Sequence, residues 1–286
     1  MRGTIIKGVG GLYFVKAEDS KTYECRARGI FRKEKIKPMI GDRVEIDIDG
    51  ENGIICEIEK RKSELVRPPV ANIDTLAAVS SSADPEPDFY LIDKLLIMSE
   101  VRGITPIICI TKTDLNSPDS ITEVYKNTGY RIFGVCSKTN EGIDALADFL
   151  KGKTTAFAGL SGVGKSSLLN HIVDRELKTG EISAKISRGK HTTRHVELFE
   201  TGDGGFVLDT PGFSSFEPDS IKESELANCF PEMRKYNNQC RFNGCSHTHE
   251  PECAVKDAVS DGLISKQRYD SYCRIYEILK NHKDWN

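Results

Sequence analysis

A chain of 286 residues has room for roughly two domains of about 150 residues and a large buried core, which excludes a small disulfide-held scaffold. Hydrophobic residues make up 38% and charged residues 29%, and no apolar run approaches the roughly 18 residues that would span a bilayer, so a soluble globular protein is expected. The formal net charge of -3 excludes a whole-chain attraction to nucleic acid, so any such contact must rest on a local basic patch.

The first residues, Met1 to Gly8, lack the apolar stretch and small-residue cleavage site of a secretory signal, and nine cysteines suit a reducing compartment. A cytoplasmic protein with no membrane contact is expected. Residues 1–65 read as short strands at Thr4 to Lys16, Thr22 to Phe31, Arg43 to Ile48 and Gly53 to Ile58, with turn signals between them. No helical periodicity appears before Asp88, so this segment reads as a small closed β-barrel. Its second strand and following loop carry Lys21, Arg26, Arg28, Arg32, Lys33, Lys35 and Lys37 against only Glu24 and Glu34, with Tyr23 and Phe31 among them. A basic groove with aromatic faces is how small barrels hold single-stranded or irregular RNA. The competing reading is a solvated edge that blocks strand-to-strand aggregation.

From Ile73 the pattern becomes strand, helix, strand: Ile73 to Val79, Phe89 to Arg102, then Thr105 to Ile110. A strand at Arg131 to Val135, a helix at Ile143 to Leu150 and a strand at Thr154 to Ala158 extend an open α/β sheet, whose ligands belong at the strand carboxyl ends. At the end of one such strand stands Thr111-Lys112-Thr113-Asp114, similar to the Asn-Lys-x-Asp motif with which GTPases read guanine, with threonine in the first place. Cys136-Ser137-Lys138 follows the next strand, where GTPases place the loop that reads the guanine oxygen; an ordinary helix cap is the alternative there.

Gly159-Leu160-Ser161-Gly162-Val163-Gly164-Lys165-Ser166-Ser167 fits the phosphate-loop pattern between a strand and a helix running from Ser166 to Val173. Glycines let backbone NH groups converge on phosphate oxygens, Lys165 reaches the β and γ phosphates, and Ser166 ligates magnesium. About 45 residues on, the strand Phe206 to Asp209 ends in a carboxylate placed to hold magnesium, and Gly212 offers an NH to the γ phosphate. Between them Gly189-Lys190-His191-Thr192-Thr193-Arg194 is polar, and Thr192 or Thr193 is a candidate magnesium ligand. Phe213 stands where many GTPases carry a water-orienting glutamine, which leaves His191 as the candidate for that task, or as a solvated side chain. Lys165 and His191 are thus the candidate catalytic residues.

Residues 220–286 read as helical and cysteine-bearing. Cys240, Cys245, His247 and Cys253 place three thiols and an imidazole within 14 residues, a donor set for a closed tetrahedral zinc site of structural kind, with His249 as the competing imidazole. Cys25, Cys56, Cys109, Cys136, Cys229 and Cys273 lie on apolar or helical patterns and read as packing residues.

The order of the motifs is unusual. The guanine motifs precede the phosphate loop, so the GTPase is circularly permuted. With the amino-terminal barrel, Arg67-Pro68-Pro69-Val70-Ala71-Asn72-Ile73-Asp74 at the domain entry and the carboxy-terminal cysteines, the whole chain closely resembles the ribosome small subunit-dependent GTPase A family. The resemblance implies an α/β fold: a circularly permuted P-loop GTPase domain (66–219) with an amino-terminal OB-like β-barrel that binds RNA (1–65) and a carboxy-terminal helical zinc domain (220–286). It implies a monomer that hydrolyses GTP to GDP with magnesium, turns over faster on the small ribosomal subunit and its rRNA, and acts in late maturation of that subunit. The alternative is a nucleotide-gated RNA-binding module with negligible turnover.

Overall fold

The computed structural model of the chain describes residues 1–66, 68–174, 196–210 and 221–283, apart from the side chains of Arg32, Asp174, His282 and Lys283. In chain order the elements are β1 (Arg2–Val9), β2 (Leu12–Ala17), β3 (Thr22–Ala27), α1 (Gly29–Lys33), β4 (Arg43–Asp49), β5 (Asn52–Ile58), β6 (Glu64–Leu65), β7 (Val70–Ala71), β8 (Thr75–Ser81), α2 (Phe89–Val101), β9 (Thr105–Thr111), α3 (Asp119–Tyr125) and β10 (Arg131–Gly134). There follow α4 (Ile143–Leu150), β11 (Thr154–Ala158), α5 (Lys165–Asp174), β12 (Phe199–Thr201), β13 (Gly205–Asp209), a 3-10 helix (Glu223–Cys229), α6 (Pro231–Arg234), α7 (Ala254–Ser260) and α8 (Lys266–Lys283). These elements divide into two compact units.

The first unit comprises Met1–Leu76, Ile143–Ala158 and Gly164–Phe213. Its β1 to β5 close into a barrel of order β1-β2-β3-β5-β4, with β3 and β5 parallel and the other pairs antiparallel. Alternation supplies the interior: Ile5, Val15, Tyr23, Cys25, Val44, Ile46 and Ile55 point into one core. The expected single strand from Thr4 to Lys16 is in fact a hairpin. Gly10 and Gly11 have φ of 60° and 87°, the two positive values that a two-residue hairpin turn demands and that glycine adopts at low cost. The expected strand from Thr22 to Phe31 stops at Ala27, and α1 takes up the chain, so helix does occur before Asp88. A five-residue helix is too short to show a period; Phe31 anchors it by entering the barrel core. In the same unit β11 runs parallel to β13, and β12 pairs antiparallel on its far side. The barrel reaches this sheet through the Lys7 to Glu197 bridge, the Leu198 amide bonded to the Ile6 carbonyl at 2.9 Å, and a Lys16 to Glu200 ion pair at 2.7 Å.

The second unit comprises Ala77–Gly142, Gly159–Val163 and Ser214–Asn286. Its strands run in the order β10-β9-β8, with β10 parallel to β9. Every residue of β8 is buried, the pattern of a strand covered on both faces. Helix α2 begins at an Asp88 cap, whose carboxylate accepts from the Leu91 amide at 2.9 Å. Ile97 on α2 shares a core with Leu226, Phe230 and Met233, and with Val255, Tyr272 and Ile275 of the carboxy-terminal helices. The carboxy-terminal segment is less helical than expected. Between α6 and α7 the chain is irregular, because four close-set ligand-type side chains, not a helical period, dictate its path.

Candidate functional site

The candidate base-reading residues stand at the carboxyl end of β9, in the second unit. Thr111 is 3% exposed, and its hydroxyl lies within hydrogen-bond reach of the Val163 carbonyl and, at 3.1 Å, of the Ser80 carbonyl. One hydroxyl proton serves one of these acceptors at a time. Lys112 adopts a left-handed φ of 59°, which turns its ammonium onto the Gly162 carbonyl at 2.9 Å and onto the Asp84 carbonyl. Thr111 and Lys112 therefore clasp the first half of the phosphate-loop sequence from below. Asp114 receives Lys138 at 3.0 Å, and this bond, with a contribution from the Cys136 side chain, holds its carboxyl below the usual carboxylate range. Thr113 stands half-buried beside Gly134, and Ser137 is half-buried in the turn that follows β10.

Gly159 opens the phosphate-loop sequence with φ 156°, and a Cβ there would sit 2.1 Å from the Val79 carbonyl, so no other residue fits without backbone movement. Val163 is buried, whereas Ser161 and Gly162 are exposed.

Gly164, Lys165, Ser166 and Ser167 belong to the first unit, where Lys165 opens α5. Lys165 is 8% exposed; burial lowers its pKa, and the Asp209 carboxylate acts against that shift. The register that pairs Phe157 with Asp209 sets this carboxylate at the end of β13. Burial raises the Asp209 pKa, countered by Lys165, by the Ser166 hydroxyl and by the Thr210 amide. Among the described residues its buried Oδ1 has no hydrogen-bond partner. An ionised oxygen in that position is costly alone, and a hard divalent cation is the partner that suits it, so the residues present fit magnesium. His191, Thr192, Thr193 and Gly212 lie outside the described residues, as do Arg67, Arg194 and Phe213.

The cysteine cluster lies in the second unit. Cys240, Cys245, His247 and Cys253 bring their ligand atoms within 4.8 Å of one another. Cys240 Sγ is 3.8 Å from Cys253 Sγ, and His247 Nδ1 is 3.5 and 3.4 Å from those two sulfurs. A tetrahedral zinc with ordinary bond lengths requires sulfur-to-sulfur edges of about 3.8 Å and sulfur-to-nitrogen edges of about 3.6 Å; Cys240, His247 and Cys253 stand at such edges, and Cys245 completes a donor set that suits that ion. Burial lowers the His247 pKa, which favours the neutral imidazole a metal needs. His249, the rival imidazole, is exposed, and its Nε2 lies 3.9 Å from Glu277 instead. The loop is tied down from outside. Tyr269 and Tyr272 donate at 2.7 Å to the His247 and Ser246 carbonyls. Burial works against the Glu250 charge, but the amide and hydroxyl of Ser246 outweigh it and take its pKa down to about 2.

On the barrel, Arg26, Arg28, Lys35 and Lys37 line one groove of about 830 Å³ together with Tyr13. Lys33 is exposed outside it, and the Arg32 side chain lies outside the description. Two expectations change. Tyr23 and Phe31 are 8% and 6% exposed and belong to the barrel core; Tyr23 takes no part in the groove and Phe31 reaches only its floor, while half-buried Tyr13, which carries no signal in the sequence, lines it. Cys56 is half-exposed, 3.0 Å from the Asp47 carboxylate, and is not a packing residue, while Cys25, Cys109, Cys136 and Cys229 are buried and Cys273 is half-buried. Among the described residues no helix is long and apolar enough to cross a membrane.

The sequence matches the family model of the RsgA GTPase over residues 58–219 and that of the RsgA N-terminal domain over residues 2–55. It is 45% identical to a small ribosomal subunit biogenesis GTPase RsgA of Agathobacter rectalis, with 100% of each chain covered. It is 47% identical to the protein of the same description from Ruminiclostridium cellulolyticum, covering 98% of this chain and 94% of the other. Among solved structures it is similar to YloQ, described as a circularly permuted GTPase (TM-score 0.81, 40% identity, 98% and 95% of the chains), and to YjeQ from Thermotoga maritima (TM-score 0.81, 35% identity, 97% and 98%).

Proposed function

The chain belongs to the RsgA GTPase family, and from that premise we propose that it binds GTP, hydrolyses it to GDP and phosphate, and acts on the small ribosomal subunit during its late maturation, with turnover stimulated by that subunit. The fold is that of a circularly permuted P-loop GTPase preceded by a closed barrel. The observation that carries the nucleotide reading is the clasp of Thr111 and Lys112 on the Gly162 and Val163 carbonyls beside Asp114, a carboxylate kept ionised.

In this reading Asp114 accepts two hydrogen bonds from guanine, Lys112 lies along the ring, and the turn at Ser137 and Lys138 meets the guanine oxygen. Lys138 must leave Asp114 as the base arrives. The loop from Gly159 to Ser167 wraps the phosphates, with Lys165 on the β and γ oxygens. Ser166, Asp209 and a threonine, Thr192 or Thr193, hold magnesium, which when bound neutralises charge on the β and γ oxygens. Gly212 offers its amide to the γ phosphate, and His191 orients the attacking water. Cys240, Cys245, His247 and Cys253 hold one structural zinc.

The domain boundaries follow: barrel 1–65, GTPase 66–219, zinc module 220–286, in a cytoplasmic monomer. Arg26, Arg28, Arg32, Lys33, Lys35 and Lys37 supply phosphate contacts to rRNA, in or near the groove that four of them line. Single-turnover hydrolysis of GTP with and without small subunits tests the proposal. Hydrolysis that rises with subunits supports it; nucleotide binding without turnover in either condition would leave a gated RNA-binding module.

A further inference from the structure

A buried charged cluster in the second unit takes no part in the chemistry above. Arg268, on α8, is fully buried. Its Nε and Nη2 meet Glu232 of α6 at 2.7 and 3.1 Å, a two-pronged contact, and its Nη1 meets Asp93 of α2 at 2.6 Å. The same Asp93 oxygen accepts the Tyr125 hydroxyl at 2.8 Å, at the last residue of α3. The guanidinium also lies 4.4 Å from the Phe230 ring centroid and 5.4 Å from that of Tyr125. One cation thus joins four stretches of chain that are far apart in sequence: the helix after β8, the helix after the guanine motif, and two elements of the carboxy-terminal module.

Apolar side chains would fill this space without the cost of stripping water from three charges, so the cluster is not explained as a source of stability. Its distinguishing property is direction. An apolar contact between helices tolerates a slide or a rotation, whereas a planar guanidinium with two prongs on one carboxylate and a third bond to a carboxylate on another helix admits one register. Helix α3 begins five residues after Asp114, so the chain runs from the base-reading carboxylate to Tyr125 in eleven residues and from there through two hydrogen bonds to α8. Two other contacts bind the same parts: Asn127 donates to the Leu263 carbonyl at 3.0 Å, and Arg234 pairs with Glu100.

We propose that Arg268 is a positioning residue that fixes the carboxy-terminal module in a single register on α2 and α3, so that occupation of the base site at Asp114 is transmitted to α8 and the cysteine loop. This rests on the guanine reading of Asp114. It extends that reading by naming the residue through which the nucleotide reaches the module, a role that neither the motifs nor the cysteine cluster assigns.

The test is hydrogen exchange of the full-length, zinc-loaded protein with and without saturating GDP, with GDP affinity measured by calorimetry on the same samples. In the parent, GDP slows exchange in α8 and in residues 240–253. In R268M that difference disappears while GDP affinity changes by less than about threefold, since the contact is remote from the base. R268M leaves two buried carboxylates unpaired, so the variant Asp93→Leu, Glu232→Met, Arg268→Met keeps the test decisive if the single variant fails to fold: it removes all three charges, holds its fold and zinc, and loses the GDP effect. A GDP effect of parental size in that triple variant, or none in the parent despite tight GDP binding, overturns the proposal. Absence of GDP binding by the parent would remove the guanine reading with it.

Discussion

At the scale of single residues, the site turns on three oxygen-bearing side chains in unlike surroundings. Asp114 is ionised and reachable. Asp114→Ala removes a charge-assisted acceptor pair worth about 2–4 kcal/mol, so GDP affinity falls by at least about thirtyfold and the preference over ADP is lost, as calorimetry with both nucleotides reads. Unchanged GDP affinity would reduce Thr111 to Asp114 to a turn. Thr111 stands where asparagine is usual, and its buried hydroxyl keeps a link to the Val163 carbonyl. Thr111→Val preserves shape and deletes that one bond, about 1 kcal/mol, so GDP binds about fivefold more weakly while its margin over ADP is kept. Asp209 has a folded pKa raised above its unfolded value. Its contribution to stability is therefore greatest below the unfolded pKa and is lost as pH rises through the folded one, so ionising this carboxylate is a burden on the nucleotide-free protein. Asp209→Asn relieves that burden: the melting temperature of the nucleotide-free protein rises at pH 7, the gain vanishes in acid, and magnesium-dependent hydrolysis is abolished. A melting temperature that falls equally at both pH values would contradict this. These three positions were legible in the sequence because phosphate and guanine chemistry demand fixed residue types at fixed spacing. Arg268 was not: an arginine on a helix reads as solvated, and nothing in the pattern ties it to partners 36 and 175 residues away.

At the scale of elements, the cysteine loop sets one imidazole, that of His247, among the three sulfurs. Three thiols and two histidines in a short loop leave the ligand set open on spacing alone. The fold favours His247: Tyr269 and Tyr272 hold the backbone on either side of it, and its Nδ1 lies beside two sulfurs. Elemental analysis should give one zinc per chain in the parent and in His249→Ala, and close to none in Cys253→Ala, with loss of protected amides in residues 240–253. Full zinc in Cys253→Ala would overturn the assignment. Most strands and helices of the α/β part, from β8 to β13, are legible to within a residue or two, Ile143–Leu150 and Thr154–Ala158 among them, whereas the strand expected at Thr22 to Phe31 overran β3 by four residues and the bounds of α8 were not read. Other elements were missed because they are too short for a period to register: α1, β6, β7, β12 and the seven-residue α3. The two-glycine hairpin at Gly10 and Gly11 is a different failure, since the signal was present and a run of apolar residues on both sides masked it.

At the scale of the whole molecule, the barrel is tied to β12 within its own unit, so removing residues 1–65 would uncover Leu198 and unpair Glu197 and Glu200. The basic groove is therefore better tested by charge. Arg26→Glu with Lys35→Glu leaves the barrel core untouched; it should weaken subunit binding steeply and flatten the dependence of binding on salt, because each lost phosphate contact removes about one released counterion. Intrinsic hydrolysis should stay as in the parent. Binding of parental strength across a salt series would make the groove a solvated edge. Whether this chain is a guanine-specific hydrolase stimulated by the small ribosomal subunit is read from single-turnover hydrolysis of GTP by the intact zinc-loaded protein. Hydrolysis should be slow alone and faster with purified small subunits, with no response with ATP and loss of the response in Asp114→Ala. Equal rates with and without subunits, or equal rates for GTP and ATP, would contradict that reading.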